Sequence, residues 1–307
     1  MLDIIDHHAL RRFSDAGCTV HENYPLANLT TYGVGGPADV FIIVPNESAL
    51  IAVMTIISEY HYPWKVLGNG SNVLISDAGV RGCVLQLNGD FSLYKIEKYG
   101  TVQSGCAHSL IQLSHSMIRH ALSGLEFSCG IPGSIGGSVR MNAGAYSGEL
   151  KDVVTSVRYY SVCDKKVIEK ETDLQWGYRT SMFRDSNDII CSVTLQLTPA
   201  EPEGIRRTVI DYTQHRKNNQ PTGKRSAGSV FKNTNEYQIW QLIDECGLRG
   251  YRRGKAMISE KHTNWIVVDH GCSAREIYDL QEEIIQQVAK KFGIVPEREQ
   301  ELIGDFS

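Results

Sequence analysis

Short apolar runs separated by turn-forming residues fill the first third of the chain and predict β-strands. Four runs, at 40–44, 64–68, 73–76 and 83–87, have strand length, and each is bounded on at least one side by glycine, asparagine or proline. Between the first two runs, the apolar residues of 48–60 recur at helical spacing. The pattern therefore predicts a strand–helix–strand unit followed by further strands.

A second group of apolar segments extends this strand-rich region to about residue 200. Helical spacing predicts a helix over 109–122, and apolar runs at 153–162, 167–170 and 189–197 predict strands. The sequence TPAEPEG at 198–204 then interrupts the pattern. Proline, glycine and charged residues of this kind are typical of a boundary between domains.

Helices dominate the pattern of the last hundred residues. Apolar spacing predicts them over 204–216, 236–245 and 274–292. The third begins at a capping box, in which Ser273 and Glu276 are three residues apart, and a glycine follows its last turn. A chain of 307 residues is long for a single core. We therefore predict an N-terminal helical segment (1–19) and two domains (20–200 and 201–307).

Composition and charge narrow the possible functions. A net charge of −4 gives no electrostatic footprint for nucleic acid, and the longest apolar stretch is too short to span a membrane. The eight cysteines are at least 23 residues apart and the histidines show no ligand spacing, so we predict no metal site. The first residues, MLDIIDHHALRR, do not resemble a signal peptide. These features predict a soluble cytoplasmic protein.

The segment 124–148 contains seven glycines and only two charged side chains. Glycine clusters mark backbone that adopts unusual dihedral angles or approaches another group closely. Gly133, Gly136 and Gly137 lie among small hydroxyl residues, and we expect consecutive backbone N–H groups there to bind an anion. The alternative is a glycine-rich interior bend. A second turn, LGNGSNVLISD at 67–77, has the same character, so the two turns suggest that a dinucleotide or FAD pyrophosphate is held from both sides.

Three other motifs are less specific by themselves. The segment GVGGPA at 33–38 fits the dinucleotide fingerprint, but a strand follows it where a Rossmann loop would open a helix. In GYRTSMF (177–183), the spacing alone favours a solvated arginine at a strand end over a functional one. In SAGSVFKN (226–233), the glycine allows a turn that presents a hydroxyl, and no histidine–aspartate pair completes a hydrolase triad.

Taken in order, these segments together with NLTTYGVGGPADVF and GLRGYRRGKAMISEKHTNWIVV resemble the UDP-N-acetylenolpyruvoylglucosamine reductase family over about residues 20–304. The resemblance implies an α+β fold. It comprises a two-subdomain FAD-binding domain of the vanillyl-alcohol-oxidase (PCMH) type and a smaller α/β substrate-binding domain. The length matches the shorter type, which lacks a substrate-binding tyrosine loop.

The resemblance also implies an activity: reduction of UDP-N-acetylglucosamine enolpyruvate by NADPH through non-covalently bound FAD, in peptidoglycan precursor synthesis. The active-site arginine and the proton-donating serine of the family match Arg179 and Ser229. A C-terminal glutamate matches Glu299, with Glu297 as the alternative. Substrate contacts are expected from Arg216, Lys232 and Asn233.

The flavin contacts implied by the resemblance come from the two glycine-containing turns and one tyrosine. They are Tyr32, Gly68, Asn69, Gly70, Ser71, Asn72, Gly130, Pro132, Gly133, Ser134, Gly136, Gly137, Asn142 and Gly144. The chain departs from the family pattern at Gln300 and Glu301, where valine and arginine are usual, and at Thr234 and Lys255.

Two alternatives remain open on the sequence. One is another flavin oxidoreductase of the same fold, although no histidine or cysteine lies in a context for covalent FAD attachment. The other is a nucleotide-sugar-binding protein that has lost the chemistry. We expect a monomer that has no nucleic-acid or membrane partner.

Overall fold

The computed structural model describes residues 5–307. By residue contacts, the chain divides into two units. The first comprises the described part of Met1–Glu22 together with Val40–Asn69 and Gly82–His215, and the second comprises Asn23–Asp39, Gly70–Arg81 and Arg216–Ser307. The last boundary between the units follows His215, within a helix and 15 residues after the predicted position at 200. Two earlier segments also belong to the second unit. The functional domains 20–200 and 201–307 stay a prediction.

The first unit contains two sheets and the helices packed on them. Its strands, several of which extend beyond the unit, are β1 (Thr19–Pro25), β2 (Pro37–Val44), β3 (Trp64–Val66), β5 (Val80–Leu87), β6 (Tyr94–Ile96), β7 (Thr101–Gly105), β8 (Leu122–Ser123), β9 (Gly144–Ala145), β10 (Gly148–Glu149), β11 (Val154–Ser161), β12 (Lys166–Lys170), β13 (Ile189–Gln196) and β14 (Thr198–Pro199). Its helices are α1 (His7–Asp15), α2 (Glu47–Tyr60), α3 (Leu110–Arg119), α4 (Ile135–Arg140) and α5 (Pro202–Asn219). One sheet has the order β1-β2-β5-β3, and the other has the order β12-β11-β13-β7-β6.

The predicted strand–helix–strand unit is present, since α2 connects β2 to β3 and both strands lie in one sheet with β5 between them. Asn46 caps α2 by accepting a hydrogen bond from the N–H of Ala49 at 2.9 Å. The helix then buries Leu50 and Val53 against Ile42 of β2. An amphipathic helix on an apolar sheet face of this kind forms the centre of the first core.

The second unit is built around β4 (Val73–Ile75), α6 (Ile239–Glu245), β15 (Arg252–Arg253), β16 (Ala256–Ile258), β17 (Ile266–Val268), α7 (Ala274–Phe292) and β18 (Glu301–Ile303). The predicted bounds and capping box of α7 are confirmed, because Ser273 accepts from the N–H of Glu276 and the Glu276 carboxylate accepts from the N–H of Ser273. Gly293 ends the helix at φ +71°.

The C-terminal tail is fixed by a strand pair. Strand β18 pairs in parallel with β4, so that Leu302 lies opposite Leu74. This pairing brings residues near 300 beside residues near 73, and it therefore anchors the tail glutamates of the sequence motif. Among the described residues, no helix has the length and apolar character needed to cross a bilayer.

Candidate functional site

The glycine-rich segment is partly helical, where the sequence suggested only a loop. Ser134 caps α4 through its hydroxyl, which accepts from the N–H of Gly137 at 3.3 Å. The N–H of Gly136 donates to the carbonyl oxygen of Cys106 at 2.8 Å. The N–H groups of Gly136 and Gly137 are thus both hydrogen-bonded within the protein, and contacts of these two glycines with a flavin stay predictions.

Close approach explains one of these glycines. A Cβ atom on Gly136 would lie 2.9 Å from the Cβ of Cys106, so α4 packs on that residue without room for a side chain. Burial raises the pKa of the Cys106 thiol well above its usual range, and Cys191 adds to this effect. The thiol is therefore a neutral packing group beneath the glycine-rich segment.

The two glycine-containing turns meet within the first unit. A Cβ atom on Gly68 would lie 2.7 Å from the hydroxyl oxygen of Ser134, so the first turn lies against the start of α4. Gly133 enters α4 at φ +149°, a conformation that favours glycine. Gly68 therefore lies against the Ser134 side chain at the start of α4, and a contact of these two segments with the FAD pyrophosphate stays a prediction. Contacts of Asn69, Gly130 and Pro132 with a flavin stay predictions.

The remainder of the first turn belongs to the second unit and contacts the tail. Gly70 has φ +59°, and a Cβ there would lie 1.9 Å from the carbonyl oxygen of Leu29. The Asn72 amide donates to the carbonyl oxygen of Glu299 at 3.0 Å, and the N–H of Glu301 donates to the Asn72 carbonyl oxygen at 3.0 Å. Asn72 thus holds the C-terminal tail through these two hydrogen bonds. Flavin contacts of Gly70, Ser71 and Asn72 stay predictions.

Arg179 lies in a tight turn of the first unit. Gly177 and Thr180 exchange backbone hydrogen bonds at 3.0 and 3.3 Å, and Arg179 between them has φ +54°. Its guanidinium donates to the carbonyl oxygen of Gly144 at 2.8 Å and lies 4.8 Å from the ring centre of Tyr178. Non-glycine residues rarely adopt this left-handed conformation, and they do so mainly where surrounding contacts enforce it.

Asn142 is completely buried and makes three side-chain hydrogen bonds. Its amide nitrogen donates to the carbonyl oxygen of Gly177 at 2.9 Å and to the Glu149 carboxylate at 3.1 Å, while its oxygen accepts from the N–H of Lys151 at 3.0 Å. This amide is therefore occupied by the protein. A flavin contact of Asn142 stays a prediction.

Ser229 and Glu299 are brought together in the second unit. The N–H of Glu299 donates to the carbonyl oxygen of Val230 at 2.8 Å, directly after the serine. Val230 is anchored on its other side, because its N–H donates to the carbonyl oxygen of Asn264 at 2.9 Å. The Asn264 side chain also bonds both the N–H and the carbonyl oxygen of Phe231. The loop that carries Ser229 is thus fixed by backbone pairing on both edges.

Glu297 occupies a different environment from Glu299. Its carboxylate forms an ion pair with the Lys232 ammonium at 2.5 Å, and its side chain is 72% exposed. Asn233, another predicted substrate ligand, accepts a hydrogen bond from the N–H of Ile239 at 3.0 Å at the start of α6. Arg216 is partly buried in the last turn of α5. Substrate contacts of these residues stay predictions.

A buried group of polar side chains in the second unit was not predicted. Tyr32, Gln281 and Gln300 are each at most 2% exposed, and Gln300 is hydrogen-bonded to the other two. Burial raises the pKa of Tyr32 well above its usual value, so its hydroxyl remains a neutral donor and acceptor. One signal in the sequence was available: Gln281 follows Ile277 by four residues and precedes Ile284 by three, which places a polar residue on the apolar face of α7.

No three histidine, cysteine or acidic side chains within residues 5–307 converge as a metal site. The polar groups described above include backbone atoms, amides and hydroxyls, the Glu297 carboxylate, the Lys232 ammonium and the Arg179 guanidinium. This chemistry suits an organic cofactor and an anionic substrate.

Comparison with known proteins gives one family match in the N-terminal part of the chain and another in the C-terminal part. Residues 38–169 match a family described as an FAD binding domain, and residues 220–303 match the C-terminal domain of UDP-N-acetylenolpyruvoylglucosamine reductase. These matches confirm the predicted α+β organisation, in which an FAD-binding domain precedes a second domain.

Full-length relatives carry the same name. The UDP-N-acetylenolpyruvoylglucosamine reductase of Bacillus subtilis strain 168 is 37% identical over 285 residues, which cover 92% of this chain and 93% of the relative. That of Lachnoclostridium phytofermentans is 36% identical over 286 residues and 92% of both chains. The crystal structure of the Thermus caldophilus reductase superimposes with a TM-score of 0.79 at 34% identity and covers 94% of this chain and 99% of that one. The chain therefore belongs to the UDP-N-acetylenolpyruvoylglucosamine reductase family.

Proposed function

We propose that this chain catalyses the reduction for which its family is named, converting UDP-N-acetylglucosamine enolpyruvate to UDP-N-acetylmuramate. NADPH is the hydride donor and FAD is the cofactor, as the match to an FAD binding domain and the named relatives support. The reaction supplies a precursor of peptidoglycan. The observation that carries the proposal is the pairing of Glu299 with Val230, because it brings the tail glutamate to the loop of the candidate proton donor Ser229.

The residues near the two glycine-containing turns fit the cofactor. Gly68 lies so close to the Ser134 hydroxyl that no Cβ fits there, and the small residues of both segments would let a pyrophosphate approach the backbone. Gly68, Gly133 and Ser134 would hold the group there. The chemistry that bound FAD would supply is hydride transfer from NADPH to the methylene carbon of the enolpyruvyl double bond.

Arg179 would stabilise the negative charge that hydride addition places next to the substrate carboxylate. A guanidinium is permanently charged and meets a carboxylate through two parallel hydrogen bonds. The turn at Gly177–Thr180 and the bond to Gly144 hold this group before substrate arrives. Preorganisation of this kind avoids reorganisation during the reaction, and the loss of one such donor costs about 2.7–4 kcal/mol in the barrier.

Ser229 would then donate a proton to the carbon that carries the excess electron density. The methylene carbon becomes a methyl group, the neighbouring carbon gains a hydrogen, and the serine recovers its proton from solvent. A serine hydroxyl is a weak acid in water, so this step requires nearby groups that favour proton transfer. Glu299 fits this supporting role because its N–H pairs with the carbonyl oxygen of Val230, directly after the serine.

The spectrum of the protein tests the proposal directly. The purified protein is expected to be yellow, to bleach on anaerobic addition of NADPH and to recolour on addition of UDP-N-acetylglucosamine enolpyruvate. FAD should leave the acid-denatured protein, since attachment is non-covalent. A protein that bleaches with NADPH but never recolours with this substrate would catalyse a different flavin-dependent reaction. A protein unable to take up FAD would contradict the proposed reaction and any other flavin-dependent reaction.

A further inference from the structure

The side chain of Gln300 joins the C-terminal tail to the loop of Ser229. Its amide nitrogen donates to the carbonyl oxygen of Ala227 at 3.1 Å, two residues before the serine, and to the Tyr32 hydroxyl at 3.1 Å. Its oxygen accepts from the amide of Gln281 at 3.0 Å. The residue is 2% exposed. Both the nitrogen and the oxygen of the Gln300 side-chain amide are therefore hydrogen-bonded within the second unit.

The residue on the other side of Glu299 is held to the same group. The Arg298 guanidinium donates to the side-chain oxygen of Gln281 at 2.9 Å and pairs with Glu282. Gln281 thus contacts both Gln300 and Arg298 from the buried face of α7. Because both neighbours of Glu299 are fixed by side-chain contacts, little freedom remains for the backbone that carries its carboxylate.

The chemistry of the site requires an amide at position 300. One end of the side chain must donate to a carbonyl oxygen and the other must accept from Gln281, and both ends are buried. A carboxylate would face the Ala227 carbonyl oxygen with a like partial charge, and an aliphatic side chain would leave buried polar groups unpaired. An unpaired buried group costs about 1–3 kcal/mol. A conformation in which the tail shifts away from the Ser229 loop would leave these groups unpaired in the same way.

We propose that Gln300 is a positioning residue that holds Glu299 and Ser229 in register for protonation of the substrate, with Tyr32 and Gln281 as its partners. This inference rests on the proposed function. Gln300 donates no proton and contacts no substrate in this role; it fixes the two segments that do. It predicts that loss of the amide impairs the half-reaction with substrate and spares the half-reaction with NADPH.

The test uses Gln300→Met, which keeps the length of the side chain and removes its amide. Bound FAD and the rate of bleaching by NADPH are expected to stay within about twofold of the wild type. The rate of recolouring by the enolpyruvyl substrate should fall about 10–100-fold, because a displacement of about 1 Å in a reacting group costs up to about 10² in rate. The solvent deuterium isotope effect on recolouring should rise, since proton transfer becomes the slower step.

Ser273→Ala is the matched control for stability. It removes the cap of α7, in the same unit, without touching Gln300 or its partners. A destabilisation of about 0.5–2 kcal/mol is expected from loss of the cap, with unchanged recolouring. If this control slows recolouring as much as Gln300→Met does, general destabilisation explains both variants and the inference fails.

Other outcomes separate this inference from the proposed function. Wild-type protein that never recolours with the substrate contradicts the proposed function itself. Wild-type protein that recolours, with Gln300→Met recolouring at the same rate or losing both half-reactions equally, overturns only the positioning role.

A second variant covers the possibility that Gln300→Met does not fold. Gln281→Met removes the amide that donates to Gln300 and should slow recolouring by about 2–10-fold without a change in bleaching, as expected for the loss of about 0.5–1.5 kcal/mol from that hydrogen bond. Unchanged recolouring in Gln281→Met would then overturn the inference.

Discussion

Asn142 and Arg179 hold their two segments together by reciprocal bonds. The Asn142 amide donates to the carbonyl oxygen of Gly177 at 2.9 Å, two residues before the arginine. The Arg179 guanidinium donates to the carbonyl oxygen of Gly144 at 2.8 Å, two residues after the asparagine. The glycine-rich segment therefore fixes the turn that presents the candidate active-site cation.

Replacing Asn142 by alanine should destabilise the first unit and reduce activity. The change leaves the N–H of Lys151 and the carbonyl oxygen of Gly177 without this buried partner, at a cost of about 1–3 kcal/mol. Asn142 also has φ +47°, a conformation that asparagine tolerates better than alanine does. Urea denaturation gives the change in stability, and anaerobic recolouring gives the activity of the folded protein.

Asn46→Ala is the control for this variant. Asn46 caps α2 in the same unit, so its loss should cost about 1 kcal/mol without affecting the turn of Arg179. Recolouring in this control is expected to match the wild type. If Asn142→Ala also recolours at the wild-type rate, Asn142 stabilises the fold but does not hold the arginine in a productive place.

Ser229→Ala should separate the two half-reactions. FAD binding and bleaching by NADPH should persist, since the serine is proposed to act only on the substrate carbon. Recolouring should slow by about 10²–10⁴, the usual contribution of a general acid. Stopped-flow absorbance of the flavin under anaerobic conditions measures both rates. Equal loss of both half-reactions would mean that Ser229 stabilises its loop and donates no proton.

Glu299→Gln and Glu297→Gln form a matched pair for the tail carboxylate. Loss of the Glu297 charge removes an exposed ion pair with Lys232, which is worth about 0–1 kcal/mol, and little change in recolouring is expected. Loss of the Glu299 charge should slow recolouring at least about tenfold, because its backbone is paired beside Ser229. The opposite ranking of the two variants would assign the role to Glu297.

Elements with strong local signals could be predicted from the sequence. Helix α7 agrees with its predicted bounds because its apolar stripe, capping box and terminal glycine all specify the same ends. The predicted start of helix α6 is three residues too early: the helix begins at Ile239, whose N–H donates to the Asn233 side chain. This bond to a residue outside the helix depends on a folded loop, and no periodicity in the sequence indicates it.

Candidate site residues could be located from sequence only through resemblance, and their contacts could not be derived. Gly136 was assigned to an anion because glycine permits exposed backbone, whereas the structure uses it for close approach to Cys106. Both uses require glycine, so composition cannot separate them. Likewise, Asn142 and Gln300 form hydrogen bonds with residues that are 35 and 73 positions away along the chain. Only tertiary packing brings such residues together, so the sequence pattern does not indicate these bonds.

Gly68→Ala tests whether the two glycine-containing turns form the cofactor surface. The added Cβ would lie 2.7 Å from the Ser134 hydroxyl oxygen, so one of the two turns must move. The dissociation constant for FAD, measured by flavin fluorescence, is expected to rise at least about tenfold, or about 1.4 kcal/mol. Ser134→Ala in the same chain removes the clashing oxygen and should restore part of the affinity.

Gly204→Ala is the control for an added methyl group. No atom lies within 4 Å of a Cβ built there, and the residue is in helix α5, where alanine is favoured over glycine by about 1 kcal/mol. FAD affinity should not change in this variant. Unchanged affinity in Gly68→Ala as well would show that the turns do not contact the cofactor.

The stability of the second unit should depend on pH through Glu276. Hydrogen bonds from the backbone N–H groups of Ser273 and Lys255 lower the pKa of this carboxylate below its ordinary value of 4.5. A group whose pKa is lower in the folded state stabilises the fold above its unfolded pKa. This contribution is therefore complete above about pH 4.5 and is lost as the pH falls through the lowered folded-state value.

Glu276→Gln should accordingly lower the thermal midpoint at pH 6, and the difference from the wild type should shrink as the pH falls below about 4.5. Glu236→Gln, at an exposed position of the same unit, controls for the loss of one negative charge. Thermal unfolding followed by circular dichroism between pH 6 and pH 3 measures both variants. A difference for Glu276→Gln that stays constant over this range would mean that its effect comes from packing at the start of α7, because a contribution from ionisation must disappear once the carboxylate is protonated in both states.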